Sequence, residues 1–199
     1  MSQIIEVPAG LSPEAWAVVQ RKPRAKYADF TAANRVMWRN HGYDSPLVIF
    51  FDKEPNLLRA PDLQLEWVKI PNHFPRDYFQ WGFLDPPHTW FSENSLHNNP
   101  RSYNDEGKYT GMWWGNGKNR RQLVRDIING QKALSKVTPI LFLKWNETSI
   151  PLHQILTCFT EFREEKRMLS VSPFKRGKAD TYWVKLVRKE SRYESTQDS

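Results

Sequence analysis

The chain reads as an α/β protein built on a doubly wound, mostly parallel sheet that ends in an antiparallel C-terminal hairpin strand. Three observations predict this. Leu47-Val48-Ile49-Phe50-Phe51 is an unbroken apolar run, the pattern of a strand buried on both faces. Between Arg121 and Val137, the residues Leu123, Val124, Ile127, Ile128, Leu134 and Val137 share one helical face, which must cover a sheet. Strand-like and helical segments alternate along the chain and finish in two strand-like runs, around Met168 to Val171 and Thr181 to Val187, joined by the basic loop Lys175 to Lys178.

Each element has its own local reason. Ser12 is an N-cap residue and Pro13 suits the first helical position, so a helix runs from there to about Gln20. Tyr27 to Phe30 forms a short strand. Ala33 to Asn40 is helix-compatible, and His41-Gly42 closes it. After the strand at 47–51, Leu65 to Ile70 and Tyr78 to Leu84 supply two more strands. The helix from Arg121 to Val137 leads into the strand Ile140 to Trp145, and a helix follows from Pro151 to Cys158. With 199 residues, one core domain spans 1–189, carries an aromatic and basic insert at 89–119, and ends in a polar, frayed tail at 190–199.

Apolar residues make up 39% and aromatic residues 14% of the chain, enough to bury a core despite the high polar content. The formal net charge of +7 favours a polyanionic partner, because clustered Lys and Arg release counterions from phosphates. Cys158 is the one cysteine, which excludes an internal disulfide and a Cys-rich zinc site and fits a reducing, cytoplasmic setting. The segment after Met1 lacks a leader pattern, and no apolar run approaches the ~18 residues needed to span a bilayer, so no membrane role is expected. His41, His73 and His97 have no ligand-like spacing, and no metal is expected. Trp145 and Trp183 fall in strand patterns as core residues, and His153 and Cys158 read as helix packing residues. The loop Lys175 to Lys178 is a solvated turn or a phosphate clamp.

In such sheets a cofactor sits outside the carboxyl ends of the strands. Four polar clusters fall there. The first is Asp29-Phe30-Thr31-Ala32-Ala33-Asn34, a strand end followed by small residues and a helix start, with Trp38 beyond. The second is Asp52, 23 positions after Asp29, where an acidic side chain can hold a ribose diol. The third is Asp85-Pro86-Pro87-His88. The Asp85 carboxylate and Pro86 carbonyl can accept from a planar amino group and the His88 ring can stack on its base, although paired prolines also end strands for structural reasons alone. The fourth is Lys144-Trp145-Asn146-Glu147.

With these motifs in order, the chain resembles a group of small class I S-adenosylmethionine-dependent methyltransferases, many of them microbial or phage-borne. Asp29 to Trp38, Asp85 to His88, Leu143 to Glu147 and Thr181-Tyr182-Trp183 carry the resemblance, which spans about Tyr27 to Lys189. It implies a Rossmann-like class I methyltransferase fold and S-adenosyl-L-methionine as cofactor. It further implies catalysis by Asp85, Pro86, Pro87 and His88, and cofactor binding by Asp29, Thr31, Ala33, Asn34, Asp52 and Asp85. Substrate would be bound by His88, Trp90, Arg101, Trp113, Lys144, Asn146 and Glu147. The chain departs from the pattern at Ala33, where the family usually has Gly; the added Cβ narrows the approach to the cofactor.

The insert at 89–119 interleaves Trp90, Phe91, Tyr103, Tyr109, Trp113 and Trp114 with Arg101, Lys108 and Lys118, a mixture suited to single-stranded nucleic acid or to covering a sheet edge. The expected activity is methyl transfer to an exocyclic base amine, cytosine N4 or adenine N6, with RNA favoured over DNA. Three alternatives stay open: a DNA amino-methyltransferase of a mobile element, a non-catalytic nucleic-acid-binding subunit with a degenerate cofactor site, and methylation of a small-molecule or protein amine.

Overall fold

The computed structural model describes residues 6–32, 36–54, 57–86, 120–170 and 179–190. Its strands are β1 (Tyr27–Asp29), β2 (Val48–Asp52), β3 (Leu63–Gln64), β4 (Trp81–Leu84), β5 (Ile140–Asn146), β6 (Phe162–Leu169) and β7 (Thr181–Arg188). They form one sheet in the order β3-β2-β1-β4-β5-β7-β6. The first five pair in parallel, and β7 runs antiparallel to both β5 and β6. This is the doubly wound, Rossmann-like architecture with an antiparallel C-terminal hairpin that the sequence predicts. The chain winds outward from β1 through β2 to β3 and then returns to place β4 on the other side of β1. That reversal puts the topological switch point at the carboxyl ends of β1 and β4, where sheets of this kind take their ligands.

Alternation along the strands divides the sheet into two unequal faces. On one, Ala28, Ile49, Phe51, Leu84, Leu141, Leu143, Trp145, Val184 and Leu186 are buried in one core with three helices, α1 (Pro13–Arg21), α2 (Arg120–Val137) and α3 (Leu152–Leu156). The Ser12 hydroxyl accepts from the Ala15 amide at 3.2 Å, the N-cap bond expected from sequence, and shares a 2.8 Å hydrogen bond with His73 Nδ1. On α2, Leu123, Ile127, Leu134 and Val137 are buried, while Val124 and Ile128 pack at the margin. Gly82 of β4 is required by packing: a Cβ there would lie 2.2 Å from Phe30 Cε2, whose ring crosses the strand at that point.

The other face carries rings. Tyr27 stacks on Trp81 with centroids 3.8 Å apart, and Trp81, Phe83, Phe142 and Trp183 continue edge-to-face or tilted across β4, β5 and β7. Trp38 lies in a 3₁₀ turn, Val36–His41, and packs edge-on against Phe50 and Phe83. The turn closes at Gly42, whose φ of 71° favours glycine.

Several expectations need correction. Leu65 to Ile70 is not a strand: β3 stops at Gln64, and Trp67–Asn72 is a 3₁₀ turn that buries Ile70 and sets Trp67 against Gly130 of α2. Apolar residues at 67, 70 and 74 recur with helical, not strand, period. The strand expected at Met168 to Val171 instead spans Phe162–Leu169, and the exposed, charged residues that follow Phe162 hid it. That strand is a sheet edge, and its charges, together with a register shift between Glu164 and Lys166, suit an edge that discourages further pairing. Pro151 to Cys158 contributes a shorter helix, α3, on which His153 is exposed. Trp145 is fully buried, with its indole N–H donating to the Ile150 carbonyl at 2.8 Å, but Trp183 is only half-buried.

The insert at 89–119, the loop Lys175 to Lys178 and the tail after Glu190 lie outside the described residues. Among the described residues no helix is long and apolar enough to cross a membrane, and no group of three acidic, His or Cys side chains could hold a metal.

Candidate functional site

Strand register brings the acidic residues of three sequence motifs to one rim. Asp29 ends β1 opposite Phe50 and Phe83, Asp52 ends β2, and Asp85 follows the last residue of β4. Each comes one residue after or before a core-facing side chain, so all three belong to the ring-bearing face. Leu84 pairs with Leu143, which places Lys144 beside Asp85.

Asp29 is wholly buried. Its Oδ1 accepts from the Thr31 amide at 3.1 Å, and its Oδ2 accepts from the Trp38 indole at 2.7 Å. Burial pushes its pKa up to about 7; the bonds from Trp38 and Thr31 oppose that rise, while the charges of Asp85 and Asp52 add to it. Both carboxyl oxygens are therefore occupied in holding the β1 loop. Trp38 belongs to the sequence motif, and its part in the site emerges only from this bond. The signal for its role is an indole donor nine positions after an acidic strand end.

Thr31 also reaches across the switch point. Its hydroxyl accepts from the Asp85 amide at 2.7 Å, joining the loops after β1 and β4. The Asp85 carboxylate takes a 2.6 Å charge-assisted bond from Lys144 Nζ on Oδ2. Pro86, next in the chain, is buried. Asp52 is nearly buried, and its Oδ1 accepts from the Glu54 amide at 2.9 Å.

Asn146 and Glu147 are brought to the end of β5, with both polar atoms of Asn146 and one carboxylate oxygen of Glu147 engaged. Asn146 Nδ2 donates to Thr181 Oγ1 at 2.8 Å and to the Ala179 carbonyl at 3.2 Å, tying β5 to β7. Its Oδ1 accepts from Thr148. Glu147 Oε1 accepts from the Leu152 amide at 2.7 Å, at the start of α3. Ala33, Asn34, Pro87, His88, Trp90, Arg101 and Trp113 lie outside the described residues.

The assembled rim offers the carboxylates of Asp52 and Asp85 as acceptors for hydroxyl and amino groups of a nucleotide-like ligand, with Lys144 beside them as a donor. No protein-family model and no curated protein matches the chain. Among solved structures it is similar to the N-methyltransferase NodS from Bradyrhizobium japonicum WM9, at 10% identity and a TM-score of 0.47, over 90% of this chain and 98% of that one.

Proposed function

We propose that the chain is an S-adenosylmethionine-dependent methyltransferase that acts on an exocyclic amine of a nucleic-acid base, cytosine N4 or adenine N6, with RNA favoured over DNA. The observation that carries this reading is the joining of Asp29, Thr31 and Asp85 across the switch point of a doubly wound sheet, where such folds take nucleotide ligands.

The rim fits the cofactor. Asp52 supplies an acceptor for a ribose diol at the end of the strand next to β1, and Asp29 holds the intervening loop through the Thr31 amide. When bound, S-adenosylmethionine would supply an electrophilic methyl group on a sulfonium that leaves as the neutral thioether with the C–S electron pair. The protein's share is positioning. The Asp85 carboxylate accepts an N–H of the target amine and turns its lone pair toward the methyl carbon; the Pro86 carbonyl is a second acceptor. The surplus proton on the methylated nitrogen leaves to Asp85 or water. If the target lies in a duplex, the base must first leave the stack.

The net charge of +7 supports a nucleic-acid substrate, and the aromatic and basic composition of 89–119 supports a single-stranded one. A cytoplasmic location fits the lone, buried Cys158. Ala33 favours a second reading, a nucleic-acid-binding subunit with a degenerate cofactor site. Calorimetric titration with S-adenosylmethionine separates the two. The enzyme reading expects saturable binding that Asp52→Ala weakens by on the order of tenfold, the loss of one charged hydrogen bond. Absence of binding to the wild-type chain would favour the degenerate site.

A further inference from the structure

The sequence resemblance implies a substrate contact for Lys144, and in the structure its ammonium engages Asp85. Nζ lies 2.6 Å from Asp85 Oδ2, with the lysine side chain 30% and the aspartate side chain 21% exposed. The contact is built into the sheet. Lys144 lies between the buried Leu143 and Trp145 in β5, so its side chain belongs to the ring-bearing face, and the β4–β5 register sets it next to Asp85. The Asp85 main chain is fixed from the other side by Thr31 Oγ1 at 2.7 Å. Among the described residues no donor reaches Oδ1 of Asp85.

We infer that Lys144 is a positioning residue that acts through Asp85: it occupies Oδ2 and thereby presents Oδ1, in one orientation and as an anion, to the substrate amine. This rests on the reading of Asp85 as the amine acceptor. A carboxylate anchored through one oxygen is restricted in its rotation about the Cβ–Cγ bond, so the remaining oxygen presents its lone pairs over a narrower range of directions. An anionic acceptor also discriminates chemically. It takes an N–H donor and rejects a ring nitrogen or carbonyl oxygen at the same point, because two acceptors facing each other in a half-buried site leave both unsatisfied. Lys144 would thus help select an amine, and would affect the methyl-transfer step more than the binding of the nucleic acid.

The test is steady-state methyl transfer from labelled S-adenosylmethionine to RNA by the full chain and by Lys144→Met, Lys144→Arg, Asp85→Asn and the Asp85→Asn/Lys144→Met double variant. Circular dichroism of each variant accompanies the kinetics. A displaced acceptor is expected to cost Lys144→Met on the order of 10²-fold in kcat. KM for RNA should stay within about twofold, since uniform binding is untouched. Lys144→Arg, which keeps a cation able to reach Oδ2, should recover much of the rate, as should millimolar ethylammonium added to Lys144→Met. The double variant should be no slower than Asp85→Asn alone, because the lysine has nothing left to position.

A raised KM for RNA with unchanged kcat in Lys144→Met would overturn the inference and make Lys144 a substrate contact. Additive losses in the double variant, or no response to ethylammonium, would overturn it as well. Failure of the underlying reading shows in a different place: a wild-type chain that transfers no methyl to any nucleic acid removes the amine-acceptor role of Asp85, and this inference with it.

Discussion

The Trp38 indole donates to Asp29 Oδ2 across 2.7 Å, and the carboxyl group it holds is completely buried at the end of the first parallel strand. Burial raises the pKa of that group from 3.8 to about 7. Between those values the folded chain binds a proton that the unfolded chain releases. The contribution of Asp29 to stability is therefore fully present below pH 3.8 and is lost as pH rises through 7.

Comparison of the wild type with Asp29→Asn isolates this effect. Because the substitution removes the titrating group, the wild type should lose about 2 to 3 kcal/mol relative to Asp29→Asn between pH 5 and pH 8. Urea denaturation at the two pH values measures it. Parallel pH dependence in the two proteins would show that Asp29 does not titrate in this range.

Trp38→Phe keeps most of the ring packing against Phe50 and Phe83 but removes the donor to Asp29. The unsatisfied buried oxygen should cost about 1 to 3 kcal/mol. The loss should be larger above pH 7 than at pH 5, since an ionised carboxylate suffers more from the missing bond. Denaturation midpoints at the two pH values read the difference, and an equal loss at both would contradict the bond.

Gly82→Ala should destabilise the chain by about 1 to 3 kcal/mol, the range for an overpacked core. The new methyl would meet the Phe30 ring at 2.2 Å, and Phe30 is held by Phe51 and Phe79. Phe30→Leu in the same chain should recover part of the loss by freeing that space. Thermal unfolding of the single and double variants checks both statements.

Glu147 accepts from the Leu152 amide at the start of α3. Glu147→Ala should lower stability by about 1 kcal/mol, as the loss of a helix-end acceptor does, whereas Glu147→Gln keeps an acceptor oxygen and should recover most of it. Equal losses in both variants, measured by urea denaturation, would point to the charge and not to the bond.

The parts of the fold legible in the sequence are those whose residues carry their own burial. The run at 47–51 and the helix ending at Val137 are examples, because a strand buried on both faces and an amphipathic helix print their period directly. The strand Phe162–Leu169 prints nothing of the kind: its residues after Phe162 are exposed or nearly so, and it exists through its ladder with Thr181–Arg188. Trp67–Asn72 was misread because a short apolar stretch before a proline does not distinguish a strand from a turn. That Asp29, Asp52, Asp85 and Lys144 lie at one rim was legible from sequence, because parallel strands align their carboxyl ends. Which oxygen meets which donor was hidden, since Trp38, Thr31 and Lys144 reach their partners across separate loops and strands.

The most direct test of the central claim is the transfer of labelled methyl from S-adenosylmethionine to total RNA and to unmodified DNA, with Asp85→Ala beside the wild type. The account predicts label in RNA, on an exocyclic base amine, and its loss in Asp85→Ala. Label confined to DNA would contradict the RNA assignment, and absence of transfer to both would contradict the enzyme itself.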